Sequence, residues 1–421
     1  MRFLYSVLIH LYGGLISLVS PFKSKALQWK QDRKNYKELW TQTVQSQTKP
    51  IIWFHCASVG ECEQILPLIQ RLQNDFPGYA CFLSFFSPSG YAMYKNHASV
   101  DAVLPLPLDT PSNARWLSNL FKPHLVVFVK YEFWFNLLSE LHQKNIPVVL
   151  ACAIFRPHQI FFKFYGAWFR NFLKLYHCIF IQDKYSEQLL STIVQPLSNT
   201  LITGDSRLER VLQVQSEPFN NHFIDLFIGD ANTVIIAGST WPLDHRMLVK
   251  AFFKWKQLKP HSKLILVPHE WNSALLSSLV QYAQLQNLNA ITFSSFQMEH
   301  RNEYDVLILD VLGMLSKLYR KANLAYVGGG FNSGLHNTLE PAVYNCPITF
   351  SDKRFKKYQE AEGLVLNQFA LCVHSEEALV EAWKQQLAWT QDSEWKKRYR
   401  KWISEQSGAV DRMMGYFKSV L

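Results

Sequence analysis

IIWFHCASVGECEQILPLI, residues 51–69, changes its period halfway along, and that change decides the fold. Ile51 to Phe54 form the continuous apolar run expected of a strand buried on both faces. Beyond Gly60 the apolar positions become Ile65, Leu66, Leu68, Ile69 and Leu72, the spacing of an amphipathic helix. A buried strand turning directly into a helix is the unit of a parallel sheet covered on both sides. Glu61 stands at the seam. Ser58-Val59-Gly60-Glu61 fits the S-x-x-E capping box, whose serine and glutamate satisfy orphan backbone donors. The end of such a strand is also where these sheets place their chemistry, so Glu61 has two readings.

The same alternation of short β-rich runs and helical patterns continues on both sides. The first half offers 51–55, 80–86, 101–106, 124–129, 147–153 and 178–182; the second offers 233–238, 263–268, 290–293, 305–309, 324–330 and 347–350. Two sets in 421 residues imply two doubly wound domains, placed at 45–210 and 211–393 with the polar stretch 205–232 at their boundary. Ligands are then expected beyond the carboxyl ends of the strands, where a cleft between domains gathers loops from both. The stretch 394–421 reads as a helix with a basic face, either crossing back to the first domain or lying on the surface.

Residues 1–22 are expected to be a membrane anchor, because Phe3 to Val19 is almost unbroken apolar sequence without a formal charge. A helix lying in the interface, or packing on the globular part, is the alternative. The segment 23–44 brings Lys23, Lys25, Lys30, Arg33, Lys34 and Lys37, which predicts a cytoplasmic C-terminal side held by anionic lipid headgroups. The whole chain carries 43 basic and 33 acidic residues, a formal charge of +10 that suits an anionic partner. With 48% hydrophobic and 18% charged residues, extensive disorder is excluded. Seven scattered cysteines without a C-x-x-C pair read as small buried hydrophobes in a reducing compartment.

Two further loops fall at strand ends. In AGSTWPLDH (237–245), Gly238 frees the backbone, Ser239 or Thr240 can cap a helix, and the exposed amides suit a phosphate or simply begin a helix. In GGGFNSGLHNTLEPA (328–342), three glycines let a ligand approach the backbone. Asn337 or Thr338 can cap the helix that follows, with Glu340 and Pro341 in its first turn. Glu340 either complements the helix dipole or accepts ribose hydroxyls. Ser333 breaks the G-x-G-x-x-G fingerprint, no G-x-x-x-x-G-K-[ST] occurs, and no two-histidine or D-x-D signature stands out. Dehydrogenase and P-loop readings therefore fall, and neither a metal nor a cofactor is expected.

In order along the chain, HCASVGE, KYEFWFN (130–136), TGDSR (203–207), AGSTWP, LVPHE (266–270) and GGGFNSGLHNTLEP resemble the 3-deoxy-D-manno-octulosonic acid (Kdo) transferases. The resemblance runs from the anchor to about residue 365. It implies a GT-B fold, two Rossmann-like doubly wound parallel-sheet domains facing a cleft, behind an N-terminal membrane-anchor helix. It further implies inverting transfer of Kdo from CMP-Kdo to a lipid A precursor of the lipid IVA type, at the cytoplasmic face of the inner membrane, in lipopolysaccharide synthesis. Under it Glu61 is the general base, and Glu132 orients the acceptor or supports the site. The binding set is Ser58, Gly60, Gly238, Ser239, Thr240, Pro268, His269, Gly329, Gly330, His336, Asn337 and Glu340, with Ser239 and Thr240 on the phosphate side and Asn337 and Glu340 on the cytidine side. The expected partners are CMP-Kdo, the lipid acceptor and anionic membrane lipids, and not nucleic acid. Two alternatives stay open: a GT-B transferase using another nucleotide sugar with a lipid acceptor, and an inactive basic membrane-associated binding protein.

Overall fold

The computed structural model describes residues 2–193, 199–331 and 334–421. Asn332 and Ser333 of the glycine-rich stretch, including the serine that breaks the dinucleotide fingerprint, lie outside them. The chain divides into two compact units, one running to Arg210 and completed by Ser407–Leu421, the other Val211–Gln406.

The first unit is built on seven parallel strands: β1 (Ile51–Cys56), β2 (Ala80–Phe85), β3 (Ala102–Pro105), β4 (Leu125–Val129), β5 (Val148–Ala153), β6 (Cys178–Ile181) and β7 (Thr200–Ile202). Their order is β3-β2-β1-β4-β5-β6-β7. The direction of winding reverses between β1 and β4, the position at which such sheets open a crevice. Both faces are covered, so successive residues of β1 enter different cores. Ile51 and Trp53 pack in one cluster with Trp40, Phe82 and Phe128. Ile52, Phe54 and Cys56 pack in the other with Ile65, Leu66 and Ile69 of the helix after β1.

The second unit repeats the plan with β8 (Thr233–Thr240), β9 (Ser262–Pro268), β10 (Ala290–Thr292), β11 (Val306–Ile308), β12 (Leu324–Val327), β13 (Ile348–Ser351) and β14 (Ala370–Val373), in the order β10-β11-β9-β8-β12-β13-β14. Its reversal lies between β8 and β12. All twelve runs read from the sequence are strands. The two additional strands, β7 and β14, are three and four residues long and close one edge of each sheet.

The terminal segments depart from simple expectation. Arg2–Val19 (α1) has a mean hydropathy of 1.5 and is long and apolar enough to cross a membrane. One face nevertheless rests on the first unit. The Tyr5 hydroxyl donates to Asp109 at 2.7 Å, Asn136 donates to the Ser6 hydroxyl, and Gly13 sits against Leu108. The basic segment forms two docked helices, Ser24–Asp32 (α2) and Tyr36–Gln45 (α3). Arg33 between them is 7% exposed and donates to the carbonyls of Leu106, Phe85, Phe86 and Trp29, so it is a structural clamp and not a headgroup contact. At the other end, the expected single helix over 394–421 is two, Ser393–Gln406 and Ala409–Val420. They part at Gly408, whose φ of +92° favours glycine. Glu209 accepts from the Ala409 amide, and Met413 and Phe417 then pack into the first unit's core.

Candidate active site

In the first unit the two carboxylates singled out by the sequence follow β1 and β4, the strands that flank the winding reversal. Glu61 lies in the first turn of the helix Val59–Asp75 (α4). Its Oε2 accepts from the amides of Ala57 at 2.7 Å and Ser58 at 3.1 Å, so the capping bonds are made. Among the described residues no donor reaches Oε1. A Cβ added at Gly60 would meet nothing within 4 Å, so the approach over this turn is open.

The electrostatics differ from what the helix dipole alone dictates. Burial, followed by the Glu132 carboxylate, pushes Glu61 above the ordinary carboxylate value. The Ala57 and Ser58 amides and Lys130 pull the other way without winning. Glu61 is thus a more basic carboxylate than its helix N-terminus predicts, which moves it toward the range useful for accepting a proton.

Glu132 is buried and tied down from several sides. The Trp134 indole donates to Oε2, and the Tyr176 hydroxyl donates to the Glu132 carbonyl. His55 Nε2 lies 3.1 Å from the same Oε2, close enough for an ion pair but not aligned as a hydrogen bond. His55 in turn meets Ser84 through Nδ1. Glu132 is therefore the hub of a polar network under β1, β2 and β4, whereas Glu61 is the half-exposed carboxylate. Lys130, just past β4, holds a φ of +73°, an unusual left-handed backbone for a lysine. The Tyr131 hydroxyl next to it lies in the fields of Arg156, Arg207, Glu61 and Asp183.

In the second unit the sequence candidates converge past β8, β9 and β12. Gly238 is required by packing, since a Cβ there would fall 2.1 Å from the Tyr319 hydroxyl oxygen. Ser239 has a φ of +52° and is half-exposed. Neither it nor Thr240 caps the next helix. Trp241 occupies that position, Pro242 begins the helix, and Asp244 accepts from the Trp241 amide at 2.8 Å. Thr240 is buried, with its hydroxyl donating to the Val267 carbonyl and contacting His245 Nε2, so that side chain is spent internally. Pro268 closes β9, and the following His269 amide donates to the Thr240 carbonyl.

The glycine-rich loop folds over this corner. Gly329 has a φ of +90°, and its amide donates to Asp244, which also accepts from the Tyr326 hydroxyl. A Cβ on Gly330 would fall 2.8 Å from Ser351. The His336 imidazole accepts the Trp241 indole N–H at 3.0 Å, and its ring centroid lies 4.2 Å from that of His269. Burial, then His269, lowers the His336 pKa to about 4, so the ring is neutral. Asn337 accepts from the Leu339 amide in front of the short helix Leu339–Ala342, where Glu340 stands in the first turn. The Thr338 hydroxyl beside them is buried without a hydrogen-bond partner among the described residues. Sequence reasoning missed the side-chain roles of His55, Trp134, Trp241 and Asp244, which orient the others. A carboxylate three residues after Trp241, at the third helical position, was the available signal for Asp244.

Of the binding set, Ser58 and Gly60 thus stand with Glu61 in the first unit, and the other ten gather in the second. Among the described residues no group of three or more His, Cys, Asp or Glu side chains is arranged to hold a metal.

Comparison with known proteins gives these features a context. Residues 28–210 match the family profile described as 3-Deoxy-D-manno-octulosonic-acid transferase (kdotransferase). The 3-deoxy-D-manno-octulosonic acid transferase of Chlamydia muridarum is 26% identical over 78% of this chain and 76% of its own length. That of Haemophilus influenzae is 27% identical over 77% and 76%, and that of Aquifex aeolicus 26% over 75% and 81%. Among solved structures, a putative UDP-N-acetylglucosamine 2-epimerase from Listeria monocytogenes superposes with a TM-score of 0.62 at 12% identity, over 88% of this chain and 96% of that one. The UDP-GlcNAc 2-epimerase from Neisseria meningitidis gives 0.59 at 14%, over 86% and 96%. At such identities the likeness is one of fold, the two-sheet GT-B type. With the profile matched over residues 28–210, and relatives at 26–27% identity aligned over three quarters of the sequence, the chain is similar to the 3-deoxy-D-manno-octulosonic-acid transferases, a family of glycosyltransferases.

Proposed function

We propose that the chain transfers Kdo from CMP-Kdo to a phosphorylated lipid acceptor of the lipid IVA type, with inversion, at a membrane surface. The acceptor hydroxyl oxygen bonds to the anomeric carbon while the bond from that carbon to the cytidylate oxygen breaks. The hydroxyl proton passes to Glu61, and the electron pair leaves with CMP. A sugar hydroxyl is a poor nucleophile until its proton is being removed, which makes a placed base necessary. The supporting observation is Glu61 itself, anchored through one oxygen beside the winding reversal and made more basic by burial and Glu132. Glu132, held by Trp134 beside His55, tunes that base through its charge.

On the donor side, the backbone around Gly238, Ser239, Gly329 and Gly330 lets a phosphate come close, and Ser239 is the hydroxyl left to meet it. Trp241 and His269 stack with ring centroids 5.2 Å apart, an aromatic face suited to a pyrimidine ring. Asn337 and Glu340 complete the cytidine side. The direct test is mass measurement of the products after incubation with CMP-Kdo and a tetraacyl lipid A precursor. Inhibition by CMP but not UDP is expected. Stronger inhibition by UDP would transfer the assignment to a different nucleotide sugar.

The tuning by Glu132 gives a pH prediction. The base must be ionised, so log kcat/KM falls as pH drops through the Glu61 pKa, which is raised. Glu132→Gln removes a like charge and keeps an acceptor for the Trp134 indole, so the acid limb should move to lower pH. An unmoved limb would separate the two carboxylates.

A further inference from the structure

Beside α2 lies a groove of about 580 Å³ that the transfer chemistry leaves unassigned. It is walled by Leu27, Trp29, Pro107 and Leu108, with Lys30 and Lys34 among its lining residues and no carboxylate. Asp32, the one acid on α2, does not line it. The Trp29 indole N–H is buried and has no acceptor among the described residues. Ser20, just past the end of α1, also lines the groove. The α1 face away from the first unit exposes Leu8, Leu11, Leu15 and Leu18, with Phe22 beyond it at 84% exposure. Trp29 in the groove wall is linked to the candidate active site by tilted ring contacts, Trp29 to Phe86 at 5.6 Å and Phe86 to Trp134 at 5.0 Å, where the indole holds Glu132.

We infer that this groove takes one acyl chain of a phosphorylated lipid, with Lys30 and Lys34 pairing to its phosphate. Apolar walls and unopposed lysines complement an amphiphile that carries negative charge at one end, and a free anion would leave the walls unused. Identifying that lipid as the acceptor rests on the transfer reading above. The groove then serves as the chain holder that sets which hydroxyl comes to Glu61.

The test uses the full chain in phosphatidylcholine nanodiscs containing either dibromostearoyl phosphatidic acid or dibromostearoyl phosphatidylcholine at equal mole fraction. Bromine quenches indole fluorescence on contact, and Trp29→Phe identifies the Trp29 contribution. Stronger Trp29 quenching by the phosphatidic acid is expected, with an excess that survives added inorganic phosphate. Leu27→Asp and the Lys30→Glu/Lys34→Glu pair should each weaken it about tenfold, the order expected from one apolar burial or two exposed ion pairs. Leu27 is 43% exposed, so its replacement leaves the fold intact. Equal quenching by the two lipids would mean immersion in the bilayer only and overturn the assignment, as would variants that quench like the parent. In transfer assays the lysine pair should raise KM for a tetraacyl acceptor about tenfold and leave kcat within about twofold. Specific quenching without any Kdo transfer would keep the groove and refute the transfer reading. Transfer without specific quenching would do the reverse.

Discussion

Glu61→Gln is expected to lower kcat by about a thousandfold while CMP binding stays within about twofold of the parent. Glutamine is the informative replacement because it separates the two roles of this side chain. The capping box accepts Glu or Gln at its last position, and a glutamine oxygen can receive the Ala57 and Ser58 amides as Glu61 Oε2 does. Helix α4 should therefore keep its start, with thermal stability changed by about 1 kcal/mol at most. What glutamine cannot do is take the acceptor proton. If Glu61 were a cap and nothing else, Glu61→Gln would turn over normally and only Glu61→Ala would suffer, through stability. Initial rates at saturating CMP-Kdo, with calorimetric CMP titrations on the same preparations, decide between the two. Near-parental kcat in Glu61→Gln would remove the base from position 61.

The sequence declared the fold wherever a strand was buried on both faces. Ile51–Phe54, Leu125–Val129 and Val234–Ala237 are continuous apolar runs because every residue enters one core or another. β7 and β14 escaped, although β3 and β10, edge strands just as short, were legible. Thr200, Leu201 and Ile202 retain exposure and show no pattern. Arg33 escaped for the opposite reason. Its charge marks a solvated residue, yet four carbonyls and two aromatic rings replace its water. In the candidate site, Gly238 and Gly329 were legible as positions without room for a Cβ, whereas Glu61 keeps both its readings, since its capping bonds are made. Thr240 was over-read, since a hydroxyl beside glycine looks available until Val267 and His245 are seen to occupy it. The Glu61 pKa direction needed tertiary information, because burial, its larger cause, appears only in the fold, and Glu132, the second cause, lies 71 residues away in sequence and is brought near by pairing of β1 with β4.

Gly329→Ala should abolish measurable donor binding, or weaken it by at least about thirtyfold, without unfolding either sheet. Two costs combine at this position. A φ of +90° is strained for any residue with a Cβ, at about 1–2 kcal/mol. The added carbon would also lie 2.3 Å from the Gly334 carbonyl oxygen and 2.6 Å from His336 Cδ2. Backbone and a ring held by the Trp241 indole have little room to retreat, so the loop must shift. That shift pulls the Gly329 amide from Asp244 and unseats His336 from Trp241. Gly313→Ala is the matched control, because Gly313 has a φ of +81° and nothing within 4 Å of a Cβ. It should cost about 1 kcal/mol of stability and leave CMP affinity unchanged. Calorimetric titration of CMP into both variants, with thermal unfolding alongside, isolates the clash from the backbone strain. Equal CMP affinity in Gly329→Ala and Gly313→Ala would show that the glycine-rich loop does not shape the nucleotide site, and the donor assignment for Gly329, His336 and Trp241 would go with it.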